Sequence, residues 1–464
     1  MNAVLKLFNL TLVLCAVCFL DLKSAAVPFA DIQQSFFMQK QSVVDKEKQE
    51  QWITIFVHGT YGSALSLVSF FRLLNDNTKN SLYRRLQKQL RASEVLYSGR
   101  FMAQRGLRAV DCSINLEDNK SIVVPIVSAY RAFAQHANPA RHETFYTFGW
   151  NGLLSQAERR LEAVRFYNEL SSLLKSYQDR DINPKIRLIA HSHGGNVCAN
   201  LAAIYTVLRN KKASSQYEVL KECVELLDNL DTVKKEKKNK KLYKRPTNKT
   251  LHVDELIIYG TPIQDETEPF FFSPFFGKVF NFYSDNDTIQ AADFVSTKGR
   301  RSRQRIMKPR LESLKNKIMQ ARVMVERDVH AKPVFSTKNF NIWAALRGGS
   351  LLTAYPYDPT HADFWYAEWE KKETFFDPLP IVVFTPLLLQ ALSQCEHGHD
   401  VALNISSTTD QALFSCFDCA HKKRASSYSF SLNALKKIRD HFKASKSDWA
   451  ELRFQLQLAF EKVR

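Results

Sequence analysis

The chain has 464 residues, of which 45% are apolar and 24% charged. That balance is ordinary for a globular protein and excludes a fibrous or wholly disordered chain. Lysine and arginine outnumber the acids 65 to 47, a formal net charge of +18, which suggests contact with a polyanion or an anionic membrane. The 33 phenylalanines point instead to a large apolar interior or an apolar binding surface.

Residues 1–26 read as an export signal. Lys6 is a short positive start, Leu7 to Leu20 is almost wholly apolar, and Ser24-Ala25-Ala26 offers small residues for cleavage. The apolar run is shorter than the ~20 residues needed to span a bilayer, and an uncleaved anchor helix is the alternative reading. Export permits disulfides among the cysteines that remain. A linker over 27–50 precedes a domain expected over 51–375, and a C-terminal Cys/His region is expected over 376–464.

From Trp52 onward, short buried strands alternate with helical stretches. Strands are expected at Ile53–Val57, Thr144–Trp150, Ile186–Ala190, Leu256–Tyr259, Val279–Tyr283 and Ile318–Val325. Helical spacing runs from Leu153 to Tyr177 and from Gly194 to Leu208. The alternation predicts an α/β fold with a doubly wound, mainly parallel sheet, in which chemistry gathers at the carboxyl ends of the strands. Two basic runs, Lys234–Arg245 and Lys298–Arg310, read as solvated insertions. Attraction to an anionic membrane surface is a second reading of them. Nucleic-acid binding is not expected, because no zinc-finger, RNP or helix-turn-helix pattern accompanies them. Amphipathic helices are expected from about Leu432 to His441 and from about Trp449 to Val463.

The most informative segment is Ile189-Ala190-His191-Ser192-His193-Gly194-Gly195-Asn196. A strand enters, a serine sits among small residues and a helix leaves, which is the arrangement of a nucleophile elbow. A serine needs a base held by an acid to act at neutral pH. In sheets with this elbow the acid and then the histidine follow it in sequence. Asp287, after the strand ending at Tyr283, is the expected acid, with Asp285 and Asp293 behind it. His361, in Pro359-Thr360-His361-Ala362-Asp363, is the expected base, with His330 as the alternative. An oxyanion needs preorganised N–H donors. The backbone of His193 is one candidate, and that of Thr60 or Tyr61, in His58-Gly59-Thr60-Tyr61-Gly62, is the other.

The set VHGT, FGWNG, AHSHGG, YGTP and YSDNDTI resembles the α/β-hydrolase superfamily, nearest to its lipase- and esterase-like members. The resemblance covers roughly residues 50 to 370. It implies acyl transfer to water through a serine ester, with no cofactor for the chemistry, and leaves the substrate open. The long stretch between Asp287 and His361 departs from the pattern and keeps His330 in play.

The segment Glu268–Gly277 holds five phenylalanines. It reads as an acyl-chain wall, which would favour lipid or other hydrophobic esters, or as a core-packing loop. Cys395, His397, Cys416 and Cys419, with His399 and His421 nearby, read as a structural zinc site or as a source of disulfides. The resulting expectation is an exported serine esterase. The alternatives are a non-catalytic surface or interaction protein on the same scaffold, or a peptidase or thioesterase using the same triad.

Overall fold

The computed structural model describes residues 50–59, 106–111, 123–150, 152, 155–209, 218–232, 243–287, 290, 305–308, 317–325, 358–361, 363–365, 374–393, 400–418 and 423–444. The signal over 1–26 and the helix expected at 449–463 lie outside the described residues.

Strands Gln51–Val57 (β1) and Gly106–Ala109 (β2) come first. Helix Val123–Ala137 (α1), strand His142–Gly149 (β3), helix Gln156–Gln178 (α2) and strand Lys185–His191 (β4) follow. Next are helices His193–Arg209 (α3) and Glu218–Thr232 (α4), strand Val253–Tyr259 (β5) and the one-turn helix Glu268–Phe271 (α5). Strands Phe276–Tyr283 (β6) and Ile318–Val325 (β7) precede helix Thr385–Ser393 (α6). Strands Asp400–Ser407 (β8), Gln411–Asp418 (β9) and Lys423–Ser431 (β10), then helix Leu432–Ala444 (α7), complete the order.

The strands form one sheet in the order β10-β9-β8-β7-β6-β5-β4-β1-β3-β2. Pairing is parallel from β3 through β1, β4, β5, β6 and β7 to β8, and antiparallel at β2/β3, β8/β9 and β9/β10. The class is therefore α/β with a mainly parallel sheet.

Both faces of the sheet are buried, and the period of two along each strand divides them. Ile53, Ile55, Val57, Ile186, Leu188, Ala190, Leu256 and Ile258 face a core shared with α2, α3 and α4. Phe56, Ile189, Ile257 and Tyr259 face a second core shared with α1, α6 and α7. β1 lies between β3 and β4, so the chain leaves it to one side and returns on the other. A crevice at the carboxyl ends of strands is expected beside such a reversal.

Two sequence expectations change here. The phenylalanine segment is core. It is the crossover from the carboxyl end of β5 to the amino end of β6, where Phe276 pairs with Val253. Two parallel neighbours demand that such a crossover run the length of the sheet, away from the carboxyl-end crevice. Phe270, Phe271, Phe275 and Phe276 are buried in the α3 side of the core. The ring centroid of Phe275 lies 5.3 Å from that of Tyr205.

The boundary at residue 376 also fails to divide the structure. β8 continues the parallel sheet beside β7, and residues from 48 onward form one compact unit. The ring of Phe133 on α1 meets Phe384 at 5.0 Å and Phe430 at 5.1 Å, so the C-terminal region closes the second core. The three strands of this region were hidden by their short, serine-rich alternation, which lacks the Val/Ile runs of the buried parallel strands.

A chain ending at residue 375 should not fold cooperatively. It loses the buried Phe376, Leu379, Ile381, Val382, Val383, Phe384, Leu387 and Leu388, each contributing about 1.5–3 kcal/mol. That sum exceeds a total stability on the order of 5–15 kcal/mol. Thermal melting by circular dichroism with dye binding checks it. A soluble fragment with a sharp melt would restore the boundary.

Candidate functional site

Ser192 stands between β4 and α3 with φ 53°, a left-handed conformation that strains a residue bearing a side chain by about 1–3 kcal/mol. Its backbone is held on several sides. Its N–H donates to the Tyr259 carbonyl at 2.9 Å. Its own carbonyl accepts from the Gly195 N–H at 3.0 Å and from the Thr261 hydroxyl at 2.9 Å. The end of β1 presses against it: a Cβ on Gly59 would lie 2.6 Å from the Ser192 Cβ. Only glycine permits that approach. Ser192 therefore sits at the first turn of α3, where free N–H groups and the helix dipole favour an anion.

Asp287 lies in the turn after β6. Its carboxylate is fully buried, with Oδ1 accepting from the Gln290 N–H at 2.8 Å and Oδ2 lying 2.8 Å from His361 Nδ1. A carboxylate only accepts, so His361 Nδ1 carries a proton, and in the neutral ring Nε2 then holds the lone pair. That is the protonation a general base requires. Gly260, at the end of β5, shapes this contact. Its φ is +56°, and a Cβ there would stand 2.7 Å from Asp287 Oδ2 and 3.1 Å from His361 Nδ1.

The structure thus separates the sequence alternatives. Asp285 faces outward and pairs with Arg305 at 3.4 Å and Arg322 at 3.0 Å. Asp287 holds the histidine, and His361 is the partner it holds. Asp293 and His330 lie outside the described residues. The acid turn and the histidine turn are tied together, because Asn286 Nδ2 donates to the Asp358 carbonyl at 2.8 Å. The histidine turn is closed on itself, with the Thr360 N–H and hydroxyl both donating to Asp363 Oδ2, at 2.8 and 2.7 Å.

The expected oxyanion donors are half placed. His193 opens α3 immediately after Ser192, and Thr60 and Tyr61 lie outside the described residues. The two described residues after β1, His58 and Gly59, are held through the His58 ring. The Trp150 N–H donates to His58 Nε2 at 3.1 Å, so the His58 proton is on Nδ1, which donates to the Gly59 carbonyl at 2.7 Å. The Trp150 indole N–H donates to the His58 carbonyl at 2.6 Å. Trp150, directly after β3, therefore holds His58 and Gly59 at the end of β1.

Several functional-site neighbours escaped the sequence reading. Arg159 on α2 is fully buried, and its guanidinium donates to His193 Nδ1 at 2.8 Å. That bond leaves the His193 imidazole neutral, with its proton on Nε2. Asn196 Nδ2 donates to the Pro262 carbonyl at 3.1 Å, and its Oδ1 accepts from the Thr267 hydroxyl at 2.6 Å. These bonds fasten the first turn of α3 to the loop after β5. Arg305 is the other surprise. It belongs to the second basic run, yet it donates to the Asp287 carbonyl at 2.8 Å. Arg305, near the middle of that run, therefore belongs to the acid turn and not to a solvated insertion. A polar residue 18 or more positions from its partner leaves no periodic signature, so none of these was legible from spacing.

The zinc reading loses a ligand. Cys416 is disulfide-bonded, and a disulfide sulfur offers no thiolate to a metal. Its disulfide partner and Cys395, His397, His399, Cys419 and His421 lie outside the described residues. Comparison with known proteins adds nothing further: no family model, no curated protein and no solved structure matches the chain.

Two predictions follow from this geometry. Gly260→Ala should lower stability by about 1–3 kcal/mol through its backbone alone and should also part Asp287 from His361. Urea unfolding measures the first effect. A parent-like midpoint would show that the loop relaxes without strain. The second concerns pH. Burial, and then the neighbouring His361, push the pKa of His191 well below its ordinary value. The unfolded chain takes up this proton as the pH falls below about 6.5, whereas the fold keeps the ring neutral. The unfolded state then binds more protons, so stability falls as the pH falls, at up to about 1.4 kcal/mol per unit for this group. Urea midpoints between pH 7.5 and 5.5 should fall more steeply for the parent than for His191→Phe. The difference isolates His191, because His136 and His441, which burial also lowers, titrate in both proteins.

Proposed function

We propose that this chain is an exported serine hydrolase of the α/β-hydrolase type that cleaves carboxylic esters through an acyl-serine intermediate. The observation that carries the reading is the buried Asp287–His361 contact of 2.8 Å beside a strained serine at a strand-to-helix turn. Ser192 Oγ attacks the ester carbonyl while His361 Nε2 takes its proton. The negative charge moves to the carbonyl oxygen, where the His193 and Thr60 N–H groups stabilise it. Collapse of the adduct breaks the C–O bond, and His361 passes its proton to the departing alcohol. Water then attacks the acyl-serine by the same route, restoring Ser192 and releasing the acid. Asp287 keeps the imidazole in the Nδ1–H form and stabilises the imidazolium of each step.

Export is supported by the disulfide at Cys416, since such bonds persist in oxidising compartments, and by the pattern of residues 1–26. The substrate is proposed as an ester class only, because the phenylalanine segment lies in the core and lends no support to acyl-chain selectivity.

A fluorophosphonate probe should label the parent stoichiometrically and leave Ser192→Ala unlabelled. Asp287→Asn should lower kcat on p-nitrophenyl esters by about 10⁴-fold, the scale of the same change in a serine-protease triad. A folded parent that neither labels nor turns over would favour the non-catalytic reading. Turnover of peptides or thioesters in preference to esters would favour the peptidase or thioesterase reading.

A further inference from the structure

His191 immediately precedes Ser192 at the rigid end of β4 and is 1% exposed. Its Nε2 lies 2.9 Å from the backbone carbonyl of His361. A carbonyl only accepts, so this nitrogen carries the proton and donates it. The His191 ring stacks on Trp365 at 5.5 Å with an interplanar angle of 15°, and it packs against the His361 ring at 4.6 Å. Trp365 belongs to the same turn as His361 and rests in turn on Phe56 of β1, at 6.2 Å.

Resting on the hydrolase reading above, we propose that His191 is a positioning residue for the general base, clamping the peptide of His361 to the strand that presents the nucleophile. Asp287 alone grips the imidazole at one atom and leaves it free to swing about that bond. The carbonyl of the same residue, held from β4, supplies a second fixed point. The two points together set where His361 Nε2 faces relative to Ser192. Because His191 and Ser192 are consecutive, a shift of the strand end moves nucleophile and base together. A neutral ring suits the task, because a second cation here would oppose the imidazolium that forms on His361.

The test uses the full chain, with His191→Phe, which keeps a stacking ring and removes the donor, and His191→Gln, which restores an N–H at similar reach. Kinetics on p-nitrophenyl butyrate are read beside the far-downfield proton resonance of His361 Nδ1–H, which reports the grip of Asp287 whether or not the protein turns over. His191→Phe is expected to lower kcat by ~10–100-fold, the scale of a small misplacement of a catalytic group. KM should stay within ~2-fold, and the resonance should broaden or vanish. His191→Gln should recover at least ~5-fold of that kcat and the resonance with it. A His191→Phe protein with parental kcat and an unchanged resonance overturns the proposal. If the parent hydrolyses no ester, loss of the resonance in His191→Phe still supports the clamp while the hydrolase reading fails. If His191→Phe does not fold, His191→Gln decides: a kept resonance supports the clamp, and a lost one in a folded protein overturns it.

Discussion

The level alignment of three strand ends is the constraint on which the rest of this structure depends. The Ser192 N–H donates to the Tyr259 carbonyl, and the Gly260 N–H donates to the Phe282 carbonyl. These are the last rungs of the parallel ladders β4/β5 and β5/β6, continued one residue past the strands. They bring a serine turn, a glycine with positive φ and an acid turn to one edge of the sheet. A register slip of one residue in any of the three would send its side chains to the opposite core, so core packing and site geometry are set by the same pairing.

That edge concentrates costs that the rest of the fold must offset. A left-handed serine, a buried carboxylate and four buried imidazoles, those of His58, His191, His193 and His361, gather within a few residues of one another. Each imidazole is matched to a partner that defines its proton. A backbone N–H reaches His58, a guanidinium reaches His193, a carboxylate reaches His361, and a carbonyl receives the proton of His191. Buried polar groups are tolerable when satisfied and costly when not. At the opposite end of the sheet, a comparable network surrounds Arg187. Its guanidinium meets Glu143 at 3.1 Å, Glu255 at 2.6 Å and the Tyr130 hydroxyl at 2.8 Å. The apolar middle of the sheet is thus bounded by polar clusters at both ends, and only the carboxyl-end cluster surrounds a candidate nucleophile.

The two unusual features of the composition end in different places. The phenylalanine excess is largely structural: rings from α1, β6, β9, β10 and the segment before α6 fill the cores on both faces. The basic excess is local, yet Arg305 carries one of its runs into the acid turn, and Arg245 anchors the other to Asp228 at 2.7 Å.

The central parallel strands β1, β4 and β5 were legible because they are buried on both faces and their inner residues read as apolar-rich runs ending at a glycine or a polar turn. Ile318–Val325 matches its sequence assignment residue for residue. The serine turn was legible for the same local reason, since its strain demands small neighbours that appear side by side in the sequence. The sequence by itself therefore determined the α/β alternation, the strand ends and the serine that one of them presents. Tertiary structure alone chose Asp287 over Asp285, paired it with His361 across 74 positions, and joined the last three strands to the same sheet. It also sent the phenylalanine segment into the core. The physical reason is that these outcomes depend on which strand lies beside which. Pairing order is decided by the burial of whole faces, a property that no short segment carries.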